Sequence, residues 1–420
     1  LLHSEIAVLD LEDVRACFPA LERTVGGQPA VFFDGPAGSQ VPRRVAVAVS
    51  RYLLRTNANH GGPFATSRES DALLDRAHCR LADFVGCRGP DCIAFGPNMT
   101  TLTFALSRAL GAGWSAGDEV LVTRLDHDAN VTPWVLAARD AGATVQHVDI
   151  RPDDCTLDMG DFERKLSPRT KLVAVGYASN ATGTVNPVAE IIATAQAVGA
   201  MTFIDAVHFA PHGLIDVASL GCDFLACSAY KFFGPHVGVM YGRRELLESI
   251  PAFKLRPAPD SLPGKWMTGT QSHEGIVGAA EAVDYLADIG RTIDPASNSI
   301  REALCSAFAA ITDHERTLTA RLLDGLSAMP EFRVWGITQP ERIAERVPTV
   351  SITHRNRNPA EMADALARQG IFTWAGNHYA LPLTEALGLE PHGTLRIGLL
   401  HYNTADEVDR LLAALSQFEE

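Results

Sequence analysis

Lys231 lies in the stretch Cys227-Ser-Ala-Tyr-Lys-Phe-Phe-Gly-Pro235, just after the apolar run Asp223 to Cys227 and before a second one, Val237 to Tyr241. A lysine among apolar and aromatic residues is costly to bury as a cation. Desolvation lowers its pKa, and a neutral amine attacks a carbonyl carbon to form a Schiff base. A strand-end lysine that reaches out to solvent would give the same local sequence, so the rest of the chain must decide between the two.

Asp205 ends the apolar run Thr202-Phe-Ile-Asp-Ala-Val-His208. A buried carboxylate needs a charged partner, and a protonated ring nitrogen is one. The carboxylate would in turn keep that nitrogen protonated. Capping of a following helix is the competing reading. A strand-end acid followed by a strand-end lysine is what a pyridoxal 5'-phosphate site requires, one group for the ring nitrogen and one for the aldehyde. The same cofactor needs a phosphate cradle. Gly96-Pro-Asn-Met-Thr100-Thr101 sits between a strand-like and a helix-like stretch, where free N–H groups favour an anion. Ser228 adds a hydroxyl near the lysine, and His127 follows another strand where it can stack on a planar ring.

Asp126-His127-Asp128 has metal-ligand residue types, but no CxxC or HExxH pattern accompanies it, and we expect no metal. Pro211 between His208 and His212 argues against a shared ligand face on one helix. Arg396, inside Leu395-Arg-Ile-Gly398, needs an anionic partner: a substrate carboxylate or a structural acid.

These groups need a scaffold that gathers them. Strand-like runs occur at Cys92 to Phe95, Glu119 to Thr123, Thr144 to Asp149, Lys171 to Tyr177, Met201 to Asp205, Phe224 to Cys227 and Val237 to Tyr241. Helical stretches fall between most of them, at about Thr100 to Leu110, Ala129 to Ala141 and Val188 to Val198, after a longer one at Ser67 to Val85. Alternating elements with continuous apolar strands predict an α/β domain built on a mostly parallel sheet covered on both faces. In such a sheet the ligand lies at the carboxyl ends of the strands, and Lys231, Asp205, Asn180 and His127 all fall in loops there. Beyond about Ile276 helix dominates, with a long segment from Pro295 to Met329, and then a smaller α+β unit. We expect an N-terminal segment over 1–30, a large cofactor domain over 31–290 and a small domain over 291–420.

The chain of 420 residues carries a formal charge of −14 and eight cysteines. That charge argues against general nucleic-acid binding, and no apolar run approaches the ~18 residues that span a bilayer. Leu1 to Asp10 lacks the basic-then-apolar order of a signal peptide, and the cysteines form no CxxC pair. We therefore expect reduced thiols, a cytoplasmic location and no membrane or nucleic-acid partner.

Taken together these residues resemble the class V aminotransferase family of fold type I pyridoxal phosphate enzymes, most closely its cysteine desulfurase and selenocysteine lyase branch. The likeness runs from about Val31 to the C-terminus. It rests on Asp34 with its small-residue loop, Asp126-His-Asp-Ala-Asn-Val-Thr-Pro-Trp134, Ser179-Asn-Ala-Thr-Gly-Thr-Val-Asn-Pro187, Asp205-Ala-Val-His208, Ser228-Ala-Tyr-Lys231, Gly269-Thr270, and Arg396 followed by His401-Tyr-Asn-Thr404. The resemblance implies a large domain with a mostly parallel seven-stranded sheet and a smaller C-terminal α+β domain. It implies that Lys231 carries the cofactor and moves protons at the substrate Cα, that Asp205 pairs with the pyridinium nitrogen, and that His127 stacks on the ring. Thr100, the Met99 backbone and Ser228 would hold the phosphate, with Asn180 and His208 also in the cofactor's surroundings. Asn180 and Arg396 would bind the substrate carboxylate. Thr270 would reach the other subunit's phosphate, which implies a homodimer with shared sites.

The departures are equally specific. Where the desulfurases carry a mobile persulfide-forming cysteine, the matching stretch Gly376-Asn-His-Tyr-Ala-Leu-Pro382 has Tyr379, and no cysteine follows Cys305. A glutamine of the family is His208, a histidine before the lysine is Tyr230, and an arginine near the loop is Trp374. We therefore expect Tyr379 and Trp374 to shape an altered substrate pocket. His208 or Tyr379 would be the proton donor to a leaving group. The expected activity is cleavage of a C–S or C–Se bond in an α-amino acid without a cysteine persulfide. Transamination and epimerisation are the alternatives, and a non-catalytic cofactor-binding protein is a third reading.

Overall fold

The computed structural model describes residues 9–419; the first eight residues of the expected N-terminal segment lie outside it. The seven expected strands form one sheet: β1 (Ile93–Gly96), β2 (Glu119–Thr123), β3 (Thr144–Val148), β4 (Thr170–Gly176), β5 (Met201–Asp205), β6 (Phe224–Ser228) and β7 (Gly238–Gly242). Their order across the sheet is β1-β7-β6-β5-β4-β2-β3. All run parallel except β7, which is antiparallel to both β6 and β1.

The reason the strands read as continuous apolar runs is visible in the packing. Val120 and Val122 point into one core with Leu102, Leu106 and Trp134, while Leu121 between them points into the other with Ile191 and Phe84. Leu172 and Ala174 alternate with Val173 and Val175 in the same way. A sheet buried on both faces leaves no polar side to alternate with. Helices Met99–Gly111 and Thr132–Ala141 cover the first face; Ala65–Val85, Val188–Ala197 and His273–Ile293 contribute to the second. Asp10 caps the first described helix, Leu11–Ala16, which gives way to a short 3-10 turn starting at Pro19, a residue that cannot continue the helix.

The helical stretch after Ile276 is two helices. His273–Ile293 is capped by Ser272, and Ile300–Ser327 is capped by Ser299. Beyond them an antiparallel sheet holds Phe332–Trp335, Thr349–His354, Thr394–Gly398 and Trp374–Gly376 in that order. Val31–Phe32, expected at the start of the large domain, pairs in parallel with Ile371–Phe372; Phe32 packs in the large core, while Val31 and Phe33 are buried in the core of the C-terminal unit. Apolar strand residues pack wherever a sheet edge is offered, and here that edge lies at the far end of the chain. Asp34 bridges to Gly398, so this segment carries the next loop, residues 34–40, across to the ends of the large sheet.

Candidate active site

Strand ends build the site. Met99, Thr100, His127, Asn180, Asp205, His208, Ser228 and Lys231 all line one cavity, together with Asp126, Gly176, Val207 and Tyr230. Lys231 follows β6 on a short 3-10 turn. Its Nζ donates to the carbonyl of Pro36, in the small-residue loop after Asp34. Burial, and then the positive charge of Arg396, push the Lys231 amine down to about 7. At neutral pH a large share of it is therefore the neutral nucleophile.

Asp205 ends β5. One of its oxygens accepts from Val207 N at 2.9 Å, and no cation pairs with it beyond the influence of Lys231. Burial raises its carboxyl to about 6. Asp126, beyond β2, sits close enough to feel Asp205. It accepts from Gly176 N at 2.7 Å and from Asn130 Nδ2 at 3.0 Å, and burial raises it to about 8. Asp205, which feels only a lysine that is itself partly neutral, leaves room for a further cation such as a protonated ring nitrogen.

His127 is neutral. Burial, with Lys231 and Arg396 nearby, lowers it to about 4. Its Nδ1 accepts from Ala129 N at 3.0 Å, which fixes the proton on Nε2. The ring stacks on Tyr379 with centroids 5.4 Å apart and 18° between planes, and Asp128 N donates to the Tyr379 carbonyl at 2.7 Å.

The anion cradle is the first turn of Met99–Gly111, whose N–H groups have no intrahelical acceptor. Asn98 caps it by accepting from Thr101 N at 2.9 Å, and Met99 N donates to Ser228 Oγ at 3.0 Å. Gly238 of β7 lets this turn lie against the sheet: a Cβ there would come 2.3 Å from the Asn98 carbonyl carbon.

Arg396 is buried in Thr394–Gly398 and donates to the Asn180 carbonyl at 2.8 Å. Its Nε and the Asn180 Oδ1 are buried without partners. Asp34 is close enough to act on its charge, yet no acid pairs with it, and burial lowers Arg396 to about 9. The geometry thus favours the substrate-carboxylate reading of Arg396 over the structural ion pair.

His208 lines the cavity, but its Nε2 is bonded to Thr349 Oγ1 at 2.9 Å, and burial lowers its pKa far below the usual range. It therefore enters as a neutral imidazole whose Nε2 is already engaged. Trp374 pairs in register with Arg396 and is 53% exposed; Tyr379 is 73% exposed at the edge of the cavity through its stack on His127. Thr270 is exposed and does not line the cavity. Sequence reasoning missed Pro36 and Thr349 as partners and Asp126 as a buried acid. Only Asp126, at a strand end, carried a readable signal.

The residues present fit pyridoxal phosphate. The donor set offers a neutral lysine, a buried acid without a cation, a flat neutral ring and a capped helix start, and the orphaned Arg396 Nε–H suits an amino-acid carboxylate. Among the described residues no helix is long and apolar enough to cross a membrane.

Comparison with known proteins agrees. A family model described as Aminotransferase class-V matches residues 31–411. A probable cysteine desulfurase of Vibrio cholerae is 32% identical over 424 residues, covering 97% of this chain and 98% of that protein. An aminotransferase-like protein of Gibberella zeae is 33% identical over 418 residues, covering 96% and 97%. The apo structure of a cysteine desulfurase from Thermococcus onnurineus superposes with a TM-score of 0.86 at 27% identity, covering 98% of both chains.

Proposed function

The chain belongs to the class V aminotransferase family, and from that premise we propose that it is a C–S (or C–Se) lyase acting on an α-amino acid without a cysteine persulfide. It is a fold type I, pyridoxal-phosphate-dependent, cysteine-desulfurase-like enzyme. The observation that carries the finer reading is Tyr379. Its ring stacks on His127, in the stretch that resembles the desulfurases' cysteine loop, and among the described residues no cysteine lines the Lys231 cavity.

Bound pyridoxal phosphate supplies an electron sink for negative charge at the Cα of the attached amino acid. The chain's own residues do the rest. Lys231 holds the group and, as a neutral amine, takes the proton from Cα. Asp205 would pair with the ring nitrogen, His127 would cover the ring face, and Met99, Thr100 and Ser228 would hold the phosphate. Arg396 and Asn180 orient the substrate carboxylate, which fixes the Cα–H bond toward Lys231. The Tyr379 hydroxyl, at the cavity edge, is the group we assign to protonate the departing sulfur, since His208 is committed to Thr349. Thr270, exposed on its own chain, serves the partner's site in a homodimer.

Transamination or epimerisation is a second reading, and the Gibberella zeae relative's name, aminotransferase-like, favours transamination. A direct test is borohydride reduction of the yellow holoenzyme followed by peptide mass mapping. The reading requires the pyridoxyl group on Lys231; label on another lysine, or a protein colourless with added cofactor, overturns it.

A further inference from the structure

A second cavity, of about 310 Å³, lies where the segment after Asp205 meets the helix Ile300–Ser327 and the loop before Thr349. Its walls include Tyr177, Phe209, His212, Glu315, Arg316 and Arg346, none of which lines the Lys231 cavity. Tyr177 and Phe209 stack at 3.8 Å with 5° between planes, giving one aromatic wall. The space is many times the ~30 Å³ share of one water and reaches the size of small-molecule sites.

Buried groups of opposite charge lack partners there. Glu315 is 2% exposed. Its Oε2 bonds to His212 Nδ1 at 2.9 Å, while Oε1 has no donor. Arg346 is 5% exposed. Its terminal nitrogens donate to the carbonyls of Ile337, Thr182 and Thr349, and its Nε has no acceptor. Arg316 Nε is likewise buried and unpartnered. A dry carboxylate oxygen and dry guanidinium N–H groups are unfavourable unless something satisfies both kinds.

We infer that this cavity binds a small zwitterion, its ammonium on Glu315 Oε1 and its carboxylate on the Nε groups of Arg346 and Arg316, at a site separate from the Lys231 cavity. The aromatic wall takes a short aliphatic portion of the guest. The site also touches the catalytic cavity's support. The His212 ring packs edge-on against His208 with centroids 5.5 Å apart, and Arg346 bonds the carbonyl of Thr349, whose hydroxyl holds His208. The inference does not depend on which reaction Lys231 performs.

The test is calorimetric titration of the cofactor-loaded protein with β-alanine, with propionate and ethylammonium as single-charge controls. β-Alanine should bind one per chain, at least ten-fold more tightly than either control. Glu315→Gln should weaken it at least ten-fold. Thr319→Leu, which adds bulk to the cavity wall without touching the charges, should do the same, and serves where the first variant fails to fold. Arg396→Met should leave it unchanged. No saturable binding to the wild type overturns the inference. So does equal binding of a control, binding that survives in Glu315→Gln or Thr319→Leu, or binding lost in Arg396→Met, which would place β-alanine in the Lys231 cavity.

Discussion

Arg396 reaches the backbone carbonyl of Asn180 at 2.8 Å with one terminal nitrogen, while its own Nε and the Asn180 Oδ1 stay dry and unpartnered. Arg396 lies in the small antiparallel sheet and Asn180 in the loop after β4, and the Arg396 Nε–H gains an acceptor when an anion enters. Charge-assisted hydrogen bonds of this kind contribute roughly 1.5–3 kcal/mol. Arg396→Met should therefore raise KM for amino-acid substrates by roughly 10- to 100-fold. Cofactor affinity, read from the visible spectrum, should be nearly unchanged. An unchanged KM would show that the substrate carboxylate lies elsewhere.

Asp205 is a cost to the cofactor-free fold. Its pKa is raised from 3.8 to about 6 by burial, so between those values the folded state holds a proton that the unfolded state has lost. Stability from this group is present below about pH 4 and falls as pH rises toward 6. Asp205→Asn should thus stabilise the apo protein at pH 7.5 by about 2–3 kcal/mol, and by little near pH 4. Thermal melts at both pH values read this out. The same variant should lose most activity, because the neutral amide cannot hold a ring nitrogen protonated. A variant less stable than wild type at pH 7.5 would contradict the assigned environment.

Lys231 at about 7 instead of the usual 10.5 predicts how the apo protein takes up its cofactor. The neutral amine is the reactive form, so the rate of colour development should rise with pH around a midpoint near 7. Because Arg396 contributes to the depression, Arg396→Met should move the midpoint upward. Stopped-flow mixing across pH 5.5–9.5 in roughly half-unit steps covers the range. A wild-type midpoint above 9 would mean a solvated lysine.

Gly238 supports the cradle from beneath. Gly238→Ala forces a methyl group against the Asn98 backbone, which would lie 2.3 Å away, and backbone on both sides leaves little room to yield. Displacement of the helix start should weaken pyridoxal phosphate by ten-fold or more in equilibrium dialysis, while pyridoxal without its phosphate should lose much less. Equal losses would locate the phosphate elsewhere.

The large sheet was legible because each strand is a continuous apolar run, and because Asp205 and Lys231 close two of those runs with charge. The site residues on strand-end loops followed from the same rule. Pro36 and Thr349 were not legible: one contributes a main-chain carbonyl and the other a hydroxyl, each from a segment far away in the chain, and neither has a residue-type signature. The pairing of Val31–Phe32 was not legible because an apolar strand does not name the sheet it will join. Trp374 and Thr270 came from the family likeness alone, and both are exposed in the single chain. The protonation of His208 was not legible from residue type, because full burial and the bond to Thr349 set it, and those belong to the fold.

The fate of the sulfur tests the central claim most directly. Cysteine and S-substituted cysteines should be offered to the holoenzyme while keto acid, ammonia, sulfide or thiol, and racemised amino acid are measured together, followed by mass analysis of the protein. A lyase lacking a persulfide-forming cysteine should release pyruvate, ammonia and sulfide or thiol in equal amounts, with no added sulfur on any cysteine. Tyr379→Phe should slow that release at least ten-fold. Turnover that yields alanine with a protein-bound persulfide, or only keto acid or racemised substrate with no sulfur released from any cysteine derivative, would contradict the account.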